Sequence, residues 1–328
     1  MDSSSSIHFG FLITLLVFSV GQAAPFDAKL YWESQLPNIP MPQTLLDVLP
    51  MEFDGNNVGD RLRTVADTKD MLRAYGVEDD HGQADIHTNH NDDFISSRFF
   101  LAKDLRVGAK LSVGFETQGN FTRFPPHSLT QTMPPFNSDN LNNILRFYSI
   151  KPGSTEAKVI GFNLRLCDRN DHINGLCQYC ATTLEQLVSY LSTTFGSSDI
   201  IKAAALPPNA FKRDRLMTYK VLEINTLATA KDMVACHRAG FPYALFRCHK
   251  PESTAAYQIT LAGVHDGAIV KAYGVCHTDT NGWNPNFIGL RTLSVKPGTH
   301  ICHFLHFHDV IWYRPSQGIQ GSSLEQTT

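Results

Sequence analysis

Apolar residues recur at helical spacing in two stretches near the middle of the chain, and each stretch begins at residue types that cap helices. The first follows Ser138, and its apolar stripe consists of Leu141, Ile144, Leu145 and Tyr148. The second follows the capping-box sequence Thr182-Thr183-Leu184-Glu185 and stops at Gly196. Its stripe consists of Leu184, Leu187, Val188, Leu191 and Phe195. The pattern therefore predicts two amphipathic helices between about residues 138 and 196.

Apolar and polar residues alternate along much of the last third of the chain, as expected for strands with one buried face. The predicted strands are residues 257–262, 268–276, 299–305 and 310–313. Helices thus cluster in the middle of the sequence and strands at its end. This order favours an α+β, β-rich fold over alternating βαβ units. We expect one domain with a strand-rich C-terminal half and a few short helices.

A twelve-residue apolar stretch, 9–20, lies near the N-terminus and is followed by the small residues of Gly21-Gln22-Ala23-Ala24. Twelve residues are too few to cross a bilayer, which takes about 20 in a helix. We therefore expect residues 1–23 to be a secretory signal peptide, cut after Ala23 or Ala24. A buried helix or a short membrane anchor is the alternative interpretation of the same residues.

Composition changes beyond the predicted signal peptide. Three prolines between positions 37 and 42 favour an extended segment, and a short helix is expected over 43–49. Residues 54–93 carry ten acidic and four basic side chains with few apolar anchors, which is typical of a flexible linker. The expected division of the chain is 1–23, an N-terminal segment 24–50, a polar linker 51–97, a domain 98–314 and a disordered tail 315–328.

Composition also limits the functional classes. Of the 328 residues, 42% are hydrophobic and 18% are charged, which excludes a disordered protein. The formal net charge of −3 argues against a general nucleic-acid binder. All 7 Cys lie beyond residue 166, and secretion would place them where disulfides persist. A glycosylation sequon at Asn120 fits the same route.

Four Cys-His dipeptides occur in the second half of the chain, with 10, 26 and 24 residues between successive pairs. They are Cys236-His237, Cys248-His249, Cys276-His277 and Cys302-His303. Because successive side chains on a strand point to opposite faces, a Cys that faces the core places its His on the other face. We hypothesise that the cysteines form disulfides while the imidazoles converge on a site. Several imidazoles with few free thiolates suit Cu(II) or Zn(II), whereas the alternative is four ordinary core histidines.

Further candidates lie close to the dipeptides. If residues 300–308 are extended, His306 and His308 share a face with Cys302, as extra ligands or as solvated side chains. Cys177 and Cys180 have the spacing of a zinc knuckle. No second pair matches that spacing, and secretion disfavours thiolate-bound zinc.

The dipeptide series and its flanking motifs resemble the plant BURP domain. The match spans residues 98 to about 313, and residues 31–42 are similar to the short motif that follows the signal peptide in such proteins. The motifs are Phe99-Phe100, Lys103-Asp104-Leu105, Pro134-Pro135-Phe136-Asn137-Ser138, Cys180-Ala181-Thr182-Thr183-Leu184-Glu185, Phe241-Pro242-Tyr243-Ala244, Cys276-His277-Thr278-Asp279-Thr280, Trp283-Asn284-Pro285, Lys296-Pro297-Gly298-Thr299 and Cys302-His303-Phe304-Leu305. The resemblance implies a plant protein of the secretory pathway, located in the cell wall, the apoplast or a storage vacuole.

The resemblance also implies site residues. The copper ligands map onto His237, His249, His277 and His303. The paired cysteines map onto Cys167, Cys180, Cys236, Cys248, Cys276 and Cys302, in a connectivity that stays open, and Cys177 is the odd thiol. The chain departs from the family pattern at Phe287, where relatives often have His, at His308-Asp309, which inverts their Asp-His, and at Ala102, which replaces a Glu.

Two functional classes follow from the resemblance. The first is a secreted module that is stabilised by disulfides, binds copper and associates with cell-wall polysaccharide or another protein. The alternative is a copper-dependent oxidative cyclase that joins a Tyr or Trp side chain to another residue of a peptide, in its own chain or in trans. The candidate self-substrate is Tyr75, the only phenol between residues 51 and 97. Neither a nucleic-acid partner nor a transmembrane segment is expected.

Overall fold

The computed structural model describes most of the chain beyond the predicted signal peptide. The described residues are 26–50, 97–115, 122–168, 178–196, 201–206 and 216–315. Tyr75, Asn120 and Cys177 lie outside them, as do the predicted signal peptide, nearly all of the predicted linker and residues 316–328. Within the described residues the chain forms eleven strands in two antiparallel sheets and a few short helices, which confirms the predicted α+β, β-rich class.

Two antiparallel sheets, here named sheet A and sheet B, contain all the strands of the described residues. The strands are β1 Phe99–Leu101, β2 Lys110–Gly114, β3 Gln178–Ala181, β4 Lys202–Ala204, β5 Leu216–Thr229, β6 Met233–Ala239, β7 Leu245–His249, β8 Thr254–Gly263, β9 Ile269–His277, β10 Ile301–Phe304 and β11 Val310–Tyr313. Sheet A has the strand order β1-β10-β9-β8-β5-β2, and sheet B has the order β3-β7-β6-β11-β4.

Short helices surround the sheets. They are α1 Ala28–Gln35, α2 Gln43–Leu46, α3 His127–Thr130, α4 Leu141–Phe147, α5 Thr155–Asp168, α6 Leu184–Phe195 and α7 Ile288–Thr292. Single turns of 3-10 helix occur at Ala102–Asp104, Ser138–Asn140 and Ala230–Asp232. In the ranges that the structure describes, no helix combines the length and the apolar character needed to cross a membrane.

Sheet B has apolar side chains on both faces. On one face, Val234 and Trp312 pack against helix α6 and the N-terminal helices α1 and α2. On the other face, Met233 and Ile311 pack against sheet A, which contributes Val275 and other small or branched side chains. Helices α4 and α5 cover the end of sheet B near β7. The space between the two sheets is therefore a packed layer, and it is also the layer into which the imidazoles point.

Helix boundaries follow the predicted caps with small shifts. The Thr183 hydroxyl accepts from the Gln186 N–H and Gly196 has a φ of 72°, so α6 lies where the capping box predicts, with the cap one residue later. The Asn137 side chain, not that of Ser138, caps the turn that leads into α4. Helix α1, which Asp27 caps, was not predicted. The extended segment predicted at the prolines is wrong at its start, because Pro37 and Asn38 form a turn closed by the Ile39 N–H donating to the Leu36 carbonyl at 3.1 Å.

The expected continuation of strand β10 to the histidines beyond it is also wrong. The strand ends at Phe304, and a turn over His306–Asp309 follows, closed by the Asp309 N–H donating to the His306 carbonyl at 2.9 Å. The alternation of faces that placed His306 and His308 beside Cys302 therefore does not apply to them.

Replacing Ile311 with Ala should lower the free energy of unfolding by about 2–5 kcal/mol, because it leaves a cavity between the sheets. Ile269→Ala is the matched control, since this strand residue is 60% exposed and its truncation should cost less than about 1 kcal/mol. Urea unfolding of both variants measures the difference. Equal destabilisation by the two substitutions would contradict the assigned inter-sheet core.

Candidate metal centre

The four Cys-His dipeptides lie on neighbouring strands, two in each sheet. Cys236 on β6 is directly opposite Cys248 on β7, and the two form a disulfide with 4.0 Å between their Cα atoms. Cys276 on β9 and Cys302 on β10 form the equivalent disulfide in sheet A, with 3.9 Å between their Cα atoms. Each disulfide therefore joins adjacent antiparallel strands at facing positions.

A third disulfide connects helix α5 to sheet B. Cys167 near the end of α5 bonds to Cys180 on β3. The six cysteines that the resemblance maps as paired are thus the six that the structure joins, and Cys177 lies outside the described residues. Such cross-links stabilise the fold mainly by limiting the unfolded chain, typically by about 2–4 kcal/mol each.

The imidazoles lie on the opposite strand faces from the sulfurs and form two pairs. His237 Nε2 is 3.2 Å from His249 Nε2, and His277 Nε2 is 3.3 Å from His303 Nε2. Within each pair the rings are nearly parallel, at 23° and 15°. In the ranges that the structure describes, no three His, Cys, Asp or Glu side chains converge closely enough to hold one ion. The site as it stands is two pairs of facing nitrogens.

The two pairs lie close enough for the charges of one pair to change the pKa values of the other. Burial, together with the charges of His237 and Arg247, lowers the pKa of His249 to about 3, and the charge of His303 adds to this effect. Burial lowers the pKa of His303 to about 4 and that of His277 well below its usual value. These three imidazoles are therefore neutral at pH 7, the state in which imidazole binds metals.

Hydrogen bonds to the Nδ1 atoms decide where the protons of three rings lie. His237 Nδ1 is 3.2 Å from Asp309 Oδ1, and this carboxylate accepts the Nδ1 proton. His303 Nδ1 donates to the carbonyl of Phe304, which follows it in the chain, at 3.2 Å. In the neutral ring of His303, Nε2 therefore carries a lone pair.

Thr254 fixes the remaining ring of the sheet A pair. Its hydroxyl donates to the Glu252 carbonyl at 2.6 Å, so it has no second proton for His277. At 3.1 Å from His277 Nδ1 it therefore accepts the Nδ1 proton, which leaves the lone pair on Nε2. Two lone pairs then face each other across the 3.3 Å between His277 and His303.

This arrangement fits a bound cation. Two nitrogens at about 2.0–2.1 Å from a tetrahedral ion lie about 3.3–3.4 Å apart, close to the Nε2 separations in both pairs. A cation would also remove the repulsion between the His277 and His303 lone pairs. In the sheet B pair, His249 Nδ1 is buried without a hydrogen-bond partner, so no contact there fixes the tautomer of this ring. When no ion is present, His249 can therefore carry its proton on Nε2 and donate it to His237.

Asp309 connects the sheet B pair to the turn after β10. The charge and the hydrogen bond of His237 outweigh burial and lower the pKa of Asp309 to about 2. His306 and His308 lie on this turn, stacked with 4.7 Å between ring centroids, and the His308 N–H donates to His306 Nδ1 at 3.3 Å. The inverted His308-Asp309 order thus places the carboxylate where it orients His237, a role that dipeptide spacing alone did not reveal.

An aromatic cluster covers the sheet A pair. The Trp283 ring lies 5.1 Å from His277, edge to face, and Phe287 lies 4.8 Å from Trp283. Phe99 contacts both Phe287, at 5.6 Å, and His303, at 5.8 Å. A Cβ on Gly289 would approach Phe99 and Phe287 within 2.7 and 2.8 Å, so only glycine fits beneath these rings. Phe287 therefore packs over Trp283 and Phe99 beside the sheet A histidines.

Fold and site together define the class: a two-sheet domain in which Cys-His dipeptides form cross-strand disulfides on one face and paired imidazoles on the other. A sequence profile described as the BURP domain matches residues 98–314, well over half of the chain. The chain therefore belongs to the BURP domain family.

Several plant proteins are similar to this chain. BURP domain-containing protein 3 of Oryza sativa subsp. japonica is 36% identical over 238 residues, 71% of this chain and 54% of that protein. BURP domain protein RD22 of Arabidopsis thaliana is 34% identical over 231 residues, 69% of this chain and 58% of that protein. Protein RAFTIN 1B of Triticum aestivum is 27% identical over 336 residues, 89% of this chain and 92% of that protein. The chain thus spans a little over half the length of the first two relatives.

Acid should destabilise the fold through the imidazole pairs. His249, His277 and His303 have pKa values below the unfolded value of about 6.5, so their contribution is full above that pH and falls as the pH drops toward 4. Urea midpoints measured with a chelator at pH 7.5 and 5.0 should therefore fall with acid. His277→Gln should reduce this dependence, whereas the exposed control His265→Gln should keep it. A higher midpoint at pH 5.0 would contradict the assigned burial of the imidazoles.

Proposed function

We propose that the protein is secreted and binds copper through its imidazole pairs, as a disulfide-stabilised module of the cell wall, the apoplast or a storage vacuole. The observation that carries the proposal is the pair His277 and His303, whose Nδ1 protons are directed to Thr254 and Phe304. Their two lone pairs then face each other at 3.3 Å. A polypeptide does not hold two acceptors in this way without a cation or a proton between them.

The donor set supports copper as the ion. Neutral imidazoles suit Cu(II), and the six described cysteines are all in disulfides, so no described thiolate competes for the metal. The Nδ1–H groups of three rings donate to Asp309, Phe304 and Thr254, which orients the rings and increases the basicity of their Nε2 atoms, as outer partners of metal-bound histidines do. Copper, when bound, would supply one-electron redox chemistry or cross-link the pairs.

Two further observations support secretion and a module role. The apolar residues 9–20 with small residues after them are typical of a signal peptide, and three disulfides persist best in an oxidising compartment. The sequon at Asn120 would be glycosylated on that route. The expected partner is a cell-wall polysaccharide or another secreted protein.

Titration of the metal-free protein with Cu(II), followed by calorimetry, tests the site. Unmutated protein should bind copper in a fixed ratio, and His277→Ala or His303→Ala should weaken binding at least tenfold, because each removes one of the facing nitrogens. His300→Ala is the matched control, an exposed histidine three residues from His303. Loss of affinity equal to that of the control, or no stoichiometric binding, would remove the metal proposal.

Tryptophan fluorescence locates the ion independently of affinity. Trp283 lies 5.1 Å from His277, so Cu(II) bound at the sheet A pair should quench its emission strongly. Trp283→Phe should abolish most of the copper-dependent quenching while Trp32 and Trp312 keep emitting. Quenching that persists in Trp283→Phe would place the ion elsewhere.

A second candidate function is the copper-dependent peptide cyclase. Strand β1 packs against the imidazoles, with the Phe99 ring 5.8 Å from His303, and Tyr75 precedes Arg98 by 23 residues in the sequence. The candidate self-substrate is thus covalently tethered to the edge of the site. Joining two side chains removes two hydrogen atoms, that is, two electrons and two protons in all. Dioxygen is the oxidant that would accept them, which gives hydrogen peroxide.

Peptide mass mapping after incubation with Cu(II) under air tests the cyclase. A self-processing enzyme should show a mass loss of two hydrogens on the peptide that contains Tyr75, absent under argon and absent in His277→Ala. Tyr75→Phe should also abolish it, because the phenol is the oxidised group. An unchanged map with copper bound in full would reject self-cyclisation and leave the copper-binding module.

A further inference from the structure

Residues 26–50 lie outside the matched domain in sequence but within its core in space. Trp32 is 2% exposed, and its ring centroid lies 5.8 Å from that of Trp312 on β11. Its indole N–H donates to the Ile39 carbonyl at 2.8 Å, so the chain after helix α1 folds back on it. Other side chains of the segment are buried in the same cluster: Leu36, Ile39, Leu45 and Val48. The segment is held by large buried side chains, as a core element is.

Two hydrogen bonds fix the end of this segment. The Phe124 N–H donates to the Val48 carbonyl at 2.8 Å, and the Arg123 guanidinium donates to the Leu49 carbonyl at 3.2 Å. Arg123 is itself held by the sheet B side of the domain, because its carbonyl accepts from the Ala244 N–H at 3.0 Å. Hydrogen bonds at Val48 and Leu49 therefore join the end of the segment to the domain.

A chain of contacts leads from this segment to the imidazoles. The Thr44 hydroxyl donates to the Phe307 carbonyl at 3.0 Å, in the middle of the turn His306–Asp309. Within the turn, the His306 N–H donates to Asp309 Oδ2 at 3.0 Å, while Asp309 Oδ1 bonds to His237 Nδ1. The docked segment is thus connected to the carboxylate that orients His237.

We propose that residues 26–50 are an intramolecular clamp: they dock on sheet B and α6 and, through Thr44, hold the turn 306–309 so that Asp309 faces His237. The clamp goes beyond the proposed function, because it holds this geometry whether or not an ion is bound. Because these contacts join residues 26–50 directly to the domain, cleavage of the chain between 51 and 96 should leave the clamp in place. Its release should uncover Trp312 and loosen the turn together.

Hydrogen exchange of the full chain tests the connection to the turn. Thr44→Val keeps the shape of the side chain and removes the donor, so the amides of His306–Asp309 should exchange about 2–10-fold faster, the effect of one lost hydrogen bond. Thr132→Val is the matched control, because its hydroxyl bonds only locally, to the Leu129 carbonyl at 2.9 Å. Unchanged exchange over 306–309, or an equal rise throughout the β8–β9 ladder, would overturn the connection.

A protease site inserted after Gly76 in the full chain tests the docking. After complete cleavage, the fragment with residues 26–50 should co-elute with the domain at micromolar concentration. Trp32→Ala should weaken its retention at least about a hundredfold, because a buried aromatic anchor is lost. Leu30→Ala, on the same helix but 63% exposed, should leave the fragment bound. Separation of the unmutated fragment, or equal retention in both variants, would overturn the clamp.

Discussion

Neighbouring side chains on a β-strand must point in opposite directions, and the site depends on this constraint. A Cys-His dipeptide on a strand commits its sulfur to one face and its imidazole to the other. When two such strands pair with Cys236 opposite Cys248, the disulfide closes on the helix side, and His237 and His249 lie on the other face as diagonal neighbours. The same relation repeats in sheet A. One local rule therefore places the four imidazoles on the strand faces opposite the disulfides.

Pairing alone does not make the nitrogens able to bind, because the proton of each ring must also be placed. The outer partners differ in chemistry: a carboxylate for His237, a backbone carbonyl for His303 and a hydroxyl for His277. The hydroxyl serves as an acceptor only because the Glu252 carbonyl takes its proton. Burial then keeps the rings neutral. The protons of these rings are thus placed by groups outside the pairs, which leaves the Nε2 atoms facing each other.

The sequence predicted the parts of this fold whose two faces differ. Strands β8 and β9 alternate, β10 carries a dipeptide, and α6 has a clear stripe and cap, so pattern and structure agree there. Strands β6 and β7 are buried on both faces over most of their length, so their apolar runs show no period of two. Helix α5 was not predicted because Gly161 and Asn163 interrupt the apolar residues of its buried face. A Cβ at Gly161 would lie 3.2 Å from the Leu141 side chain, a close contact that glycine avoids. The roles of Thr254 and Asp309 depend on the packing between strands and turn, which spacing does not encode.

None of the three disulfides that the structure describes joins one sheet to the other. Cys167–Cys180 and Cys236–Cys248 belong to the sheet B side, and Cys276–Cys302 belongs to sheet A. Among the described residues, Met233 and Ile311 of sheet B pack against Val275 of sheet A, and the imidazole pairs sit on either side of this layer. Reduction of the disulfides would therefore loosen each sheet separately, whereas the contact between the two sheets would depend on the apolar side chains between them.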